Sequence, residues 1–119
     1  HVLLQNKAGQ FPQPTAASFA AAAEGADWAQ APGNYLLLLD QPGADAWPIT
    51  AATFILVHKK QTNSGSGREV LKFFDWAYKN GDADAGGLDY VPLPAAVKDR
   101  MRAQWADIKG PDGKPVYTP

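Results

Sequence analysis

Residues 53–57 read Thr-Phe-Ile-Leu-Val and stop abruptly at His58-Lys59-Lys60. This continuous apolar run, rich in β-branched residues, is the pattern of a strand covered on both faces in a parallel or mixed sheet. A lone central strand cannot pair its main-chain donors and acceptors or cover both its surfaces, so the run demands partner strands. The rest of the chain supplies few. Val2-Leu3-Leu4-Gln5 reads as a short strand entering the turn Asn6-Lys7-Ala8-Gly9. Tyr35-Leu36-Leu37-Leu38-Leu39 is left open by periodicity, and its length and the flanking Pro32-Gly33 and Pro42-Gly43 breakers favour a strand. The sheet is incomplete, which makes the chain read as part of a larger fold.

The helices are marked by their ends. Thr15 is a good N-cap for the alanine-rich residues 16–24, and Gly25 is the stop. Phe19 is the only large apolar residue of that segment, so the helix alone would be marginal. Ser66-Gly67-Arg68-Glu69 has the spacing of a capping box. The helix it opens carries Val70, Leu71, Phe73, Phe74, Ala77 and Tyr78 on a broad apolar face and ends at Asn80-Gly81. Pro94 suits the first position of a third helix, in which Val97, Met101, Trp105 and Ile108 recur at four, four and three. Pro111-Asp112-Gly113-Lys114-Pro115 is a closing turn. Three helices and a few strands give an α/β class.

Charge and composition narrow the function. The 119 residues hold 11 Lys and Arg against 12 Asp and Glu, a balance unlike that of a dedicated nucleic-acid binder. No apolar run approaches the roughly 20 residues of a membrane span. Cysteine is absent, which removes a disulfide scaffold, a thiol nucleophile and a thiolate-held metal. Asn63-Ser64-Gly65-Ser66-Gly67-Arg68, at a helix start, has the composition of an anion site but lacks the Gly-Lys-Ser/Thr ending of a phosphate loop, so a surface loop with a capping serine is the expectation. Asp82-Ala83-Asp84-Ala85-Gly86-Gly87-Leu88-Asp89 begins like a calcium loop, yet Gly86 and Leu93 stand where ligands are needed, so solvated turn acids are the expectation and no metal is assigned. His1 and His58 are the only histidines, no serine or acid marks a triad with them, and His58 reads as a strand-end residue. Trp28, Trp47, Trp76 and Trp105 could stack on a sugar, but helical spacing favours packing for Trp76 and Trp105. The expectation is a protein without catalysis or cofactor.

Six separated blocks then agree in order with one family. Gly25-Ala26-Asp27-Trp28, Asp45-Ala46-Trp47-Pro48-Ile49-Thr50, residues 53–59, residues 69–79, Leu88-Asp89-Tyr90-Val91-Pro92-Leu93-Pro94 and Asp112-Gly113-Lys114-Pro115-Val116-Tyr117 closely resemble the periplasmic phosphate-binding proteins of bacterial high-affinity phosphate ABC transporters. The resemblance covers essentially the whole chain but only the C-terminal third or so of the family's sequence. It implies the C-terminal part of a two-lobed α/β binding protein of type II-like architecture, whose incomplete sheets are completed by N-terminal segments. Residues 1–47 would belong to the second lobe, residues 48–52 would cross between lobes, and residues 53–119 would return to the first lobe. Trp47, Pro48 and Ile49 would be the stiff hinge segment, since Pro48 fixes its own φ and restricts Trp47 to extended backbone.

The resemblance further implies capture of inorganic phosphate in the periplasm and delivery to an ABC transporter permease. The family's phosphate-holding strings are a Gly-Ala-Thr-Phe stretch, a later serine and aspartate, and an Arg-x-Asp-x-Ser-Gly-Thr motif. The two motif strings are absent here, and no residue is assigned to phosphate contact. His1 stands in place of an initiator Met and no signal peptide is visible, so the expectation is a piece whose N-terminal portion is its first partner. The competing reading is a stand-alone interaction module; a small hydrolase lacks a nucleophile–base pair.

Overall fold

The computed structural model describes residues 2–119, so His1 and any role for it lie outside the described residues. The elements in order are α1 (Ala16–Glu24), 3₁₀ turns at Trp28–Gln30 and Pro32–Asn34, α2 (Ser64–Asn80), α3 (Asp82–Gly87), α4 (Ala95–Ala103) and a 3₁₀ turn at Gln104–Asp107. The chain divides into two compact units, one of residues 1–54 and 91–97, the other of residues 55–90 and 98–119.

In the first unit α1 forms where its caps dictate. Thr15 accepts from the Ser18 amide, and Ser18 Oγ accepts from the Thr15 amide at 3.0 Å, a reciprocal box that satisfies two orphan donors. Gly25 closes the helix by donating to the Ala21 carbonyl, and a Cβ there would collide with the Pro42 carbonyl oxygen. Ala22, Ala23, Ala26, Trp28 and Leu38 are buried in this unit, and the Trp28 indole N–H donates to the Ala23 carbonyl at 2.7 Å. Small residues on α1 thus allow a large aromatic to lie close to the helix.

In the second unit the core is Leu71, Ile108 and Val116, with Val57, Trp105 and Tyr117 packed against it. Trp105 stacks on Tyr78 with centroids 5.9 Å apart, and Tyr117 follows at 6.2 Å. Of the expected 97–101–105–108 stripe, Val97 and Ile108 are buried while Met101 and Trp105 are half-buried. Pro94 lies just before α4 and accepts from the Val97 amide, so the helix starts one residue later than expected.

Several expectations are corrected. The helix expected to follow a Ser66 cap starts at Ser64, because the Asn63 side chain accepts from the Ser66 amide at 3.1 Å. With that cap filled, Glu69 is free to pair with Lys72 at 3.2 Å and makes no capping box. The acid-rich residues 82–87, expected as turn, form the short α3, whose first-turn Asp82 and Asp84 suit the positive end of a helix. Only part of the α2 apolar face is covered: Leu71 is fully buried, whereas Val70 and Phe73 are exposed.

The strands are the main difference. Among the described residues no strand ladder forms, and the pairings are isolated bridges of Leu39 with Ile49, Lys60 with Lys109, and Lys109 with Pro115. Residues 2–5 and 35–39 are irregular except for Leu39. Residues 53–57 make no main-chain hydrogen bond to another described segment, and Leu56 is 95% exposed. A strand is defined by its neighbours, and without them a β-prone run stays an unladdered segment. Among the described residues the helices of the expected α/β class are therefore present and its sheet is not.

Leu71 is the largest fully buried side chain. Leu71→Ala should lower the unfolding free energy by about 2–5 kcal/mol in denaturant titrations. Leu88→Ala, at a position 71% exposed, should change it by less than about 0.5 kcal/mol. Equal effects would refute this core.

Candidate functional site

The segment expected to act as hinge lies in the first unit. Trp47 is buried, its ring meets Phe19 edge-on at 6.2 Å, and its amide donates to the Ser18 carbonyl at 3.0 Å. Its own carbonyl accepts from Thr50 Oγ1 at 3.2 Å. Pro48 is half-buried, and its carbonyl accepts from the Asp40 amide at 2.9 Å. Asp40 adopts φ 48°, a left-handed conformation that aspartate tolerates better than most residues. Ile49 is exposed and bridges Leu39. Of the three residues, then, Trp47 is an anchor on α1, Pro48 a bonded stiff link, and Ile49 a surface position.

Beneath this segment sits a residue the sequence did not single out. Asn6 is buried and its Nδ2 donates to the carbonyls of Gly43, Ala44 and Ala46 at 2.8–3.1 Å. Its Oδ1 accepts from the amides of Ala8 and Gln10 at 3.1 and 2.9 Å. One amide side chain thereby fastens the turn after residue 5 to the loop that leads into Trp47. The Asn-x-x-Gly turn spacing was visible; the distant carbonyls were not.

The second unit holds a buried charge. Asp75 Oδ2 accepts from Lys79 Nζ at 2.6 Å and from Tyr117 Oη at 2.9 Å, and Oδ1 accepts from Arg102 Nε at 2.8 Å. Burial would push this carboxyl up, but the hydrogen bonds from Lys79, Tyr117 and Arg102, with the guanidinium charge, outweigh it and hold it below its ordinary value. The same contact raises the Tyr117 phenol, aided by burial, and burial alone raises Tyr78. The available signal was an acid one turn after Leu71 and one turn before Lys79, in the middle of an otherwise apolar face. Every oxygen of the carboxylate is engaged by protein, which suits it to fastening elements and not to proton transfer.

The remaining sequence candidates are not drawn together. At the start of α2, Ser64 abuts Gly110, where a Cβ would collide with the Ser64 hydroxyl, and the Asn63 side chain already takes one of the free amides. Asp82 pairs with Lys98 at 2.7 Å to Oδ2. Among the described residues no group of three His, Cys, Asp or Glu side chains is placed to hold a metal ion, and no helix is long and apolar enough to cross a membrane. His58 is exposed, and its carbonyl accepts from Gln61 Nε2 at 2.6 Å. Trp28 is buried on α1 in the first unit; in the second, Trp76 is exposed beside Phe73 and Trp105 is half-buried against Tyr78.

No protein-family model matches the chain. Among curated proteins it is 49% identical over 115 residues, 96% of its length, to the phosphate-binding protein PstS of Pasteurella multocida. It is 47% identical over 87% of its length to PstS of Haemophilus influenzae and 44% identical over 89% to PstS of Xylella fastidiosa. The chain spans about a third of the length of these relatives, 33%, 31% and 29% respectively.

Because Asp75 titrates lower in the folded protein than its ordinary 3.8, its contribution to stability is complete above that unfolded value and is lost as pH falls through the folded one. Asp75→Asn should therefore destabilise at pH 7 by about 1–3 kcal/mol. The Tm gap between the two proteins should narrow as pH drops below about 4. A gap that stays constant down to pH of about 2 would remove the ionic account of this node.

Proposed function

The chain corresponds to the C-terminal portion of the PstS phosphate-binding proteins, and on that premise we propose that it is the scaffold part of a periplasmic solute-binding protein. In this reading the whole protein captures inorganic phosphate by hydrogen bonds between two α/β lobes and delivers it to an ABC transporter permease, with no chemistry on the ligand. The supporting observation is near-50% identity along almost the entire chain to proteins named for phosphate binding. The relatives are named for binding phosphate, and their names state no reaction.

The physical support is the unfinished run at residues 53–57. Its main-chain groups have no partner segment and Phe54, Ile55 and Leu56 are exposed, which is what remains of a central strand when its neighbours lie elsewhere in the protein. We assign residues 1–47 to the second lobe, 48–52 to the crossover and 53–119 to the first lobe. Trp47 and Pro48 then form the stiff part of the crossover, and opening and closing fall on the residues beside them. No phosphate contact is assigned to this chain; the ligand is held by segments N-terminal to it. Exposed Phe73, Trp76 and Leu88 would also suit a stand-alone docking module. That module, unlike a scaffold piece, would melt cooperatively as a compact monomer.

Calorimetry separates the two. The intact protein should bind phosphate tightly and residues 1–119 alone should not; binding by the isolated chain would overturn the assignment. In the intact protein, Trp47→Ala should cost about 3–5 kcal/mol of stability, as expected for a buried aromatic. An unchanged melting temperature would remove Trp47 as the packing anchor of the crossover.

A further inference from the structure

Ten of the eleven Lys and Arg residues fall in the second unit, and three of them converge. Lys59, Lys60 and Lys109 line one open cavity of about 580 Å³ together with Gly110 and Pro111. Their backbones are fixed: the Lys109 amide donates to the Lys59 carbonyl and the Gln61 amide to the Lys109 carbonyl, both at 2.7 Å. Lys60 and Lys109 are thus directly opposite in a parallel bridge, where paired side chains share a face and like charges repel.

Four of the other seven cations of this unit find acids among the described residues. Lys72, Lys79, Lys98 and Arg102 each make an ion pair, whereas Lys59, Lys60 and Lys109 make none among the described residues. Asp107 is the one acid on the cavity wall, and Asp112 of the adjoining turn is occupied by the Lys114 amide at 3.1 Å. The turn amides of Gly110 and Gly113 are spent on the Lys114 and Gly110 carbonyls, so no cradle of free amides faces the cleft.

From this geometry we propose that the Lys59–Lys60–Lys109 cleft is a docking site for a carboxylate-rich segment of a partner protein. Three flexible point charges without bidentate guanidinium or amide donors suit several dispersed carboxylates better than one compact oxyanion. The cavity is also far roomier than a single small anion requires. The site speeds and orients encounter by charge, and its occupancy falls with salt. It uses no residue assigned to phosphate and stands whether or not the protein carries phosphate.

The test uses the intact protein and a fluorescent hexaglutamate peptide at roughly 50 mM salt, where charge attraction is weakly screened. The combined Lys59→Gln, Lys60→Gln and Lys109→Gln variant should weaken peptide binding by about tenfold or more. Replacing the same three by arginine should preserve it. A control losing equal charge elsewhere, Lys7→Gln, Lys72→Gln and Arg100→Gln, should stay within about twofold. Circular dichroism verifies that each variant is folded. Equal weakening by both glutamine sets, or no peptide binding by the unaltered protein, overturns the site. Cleft-dependent binding of tripolyphosphate or of phosphatidylglycerol vesicles in place of the peptide overturns the partner class. Phosphate calorimetry on the same samples reports separately, so loss of phosphate binding and loss of peptide binding are distinguishable.

Discussion

The second unit depends on the balance struck at Asp75. Removing a carboxylate from water costs several kcal/mol, and an unpaired acid at this position would unfold the segment around it. Three donors reverse the sign, and they come from three places: the next turn of α2, the end of α4, and the C-terminal segment at Tyr117. The apolar core beside it is small, with Leu71, Ile108 and Val116 as its buried members. Apolar contacts are indifferent to register, whereas a carboxylate with named donors is not. The hydrogen bonds therefore fix which residue of the C-terminal segment faces α2, and the contact of the Tyr117 ring with Trp105, itself stacked on Tyr78, follows from that choice.

Asn6 does for the first unit what Asp75 does for the second, without charge. It reaches three carbonyls of the 43–46 loop, so the geometry before Trp47 depends on a side chain some forty residues away. Each such bond contributes about 1 kcal/mol net, but leaving the buried Ala46 carbonyl unpaired would cost more. Stiffness at Trp47-Pro48 is thus only partly a property of proline. It is also the result of Ser18, Thr50, Asp40 and Asn6 holding the flanking main chain.

What was legible in the sequence is what is encoded locally. Thr15 and Gly25 bound α1, Asn80-Gly81 ends α2 and Pro94 precedes α4, because caps and breakers act over three or four residues. The start of α2 lies three residues earlier than expected, since Asn63 and Ser66 are both competent caps and the earlier one adds most of a turn of helix. α3 was missed because acids and glycines favour turns on propensity, while the helix follows Gly81 directly and is too short to show a period. The buried hubs were beyond reach: Asn6 and Asp75 look like a turn residue and a surface acid until distant partners are placed beside them.

The run at residues 53–57 is the instructive failure. Its composition specifies burial on two faces, yet the described residues give it no ladder and cover little of it beyond Val57, which packs on the Leu71 core. Propensity expresses how well a side chain fits a pleated surface, and it cannot supply that surface. Relatives about three times as long are matched along nearly the whole of this chain, and on the proposed scaffold reading their additional residues would be the missing neighbours. The same reasoning explains why identity approaches one half while no ligand contact is assigned here. Residues that pack against the remainder of a longer protein are constrained by that packing as tightly as residues that touch a ligand.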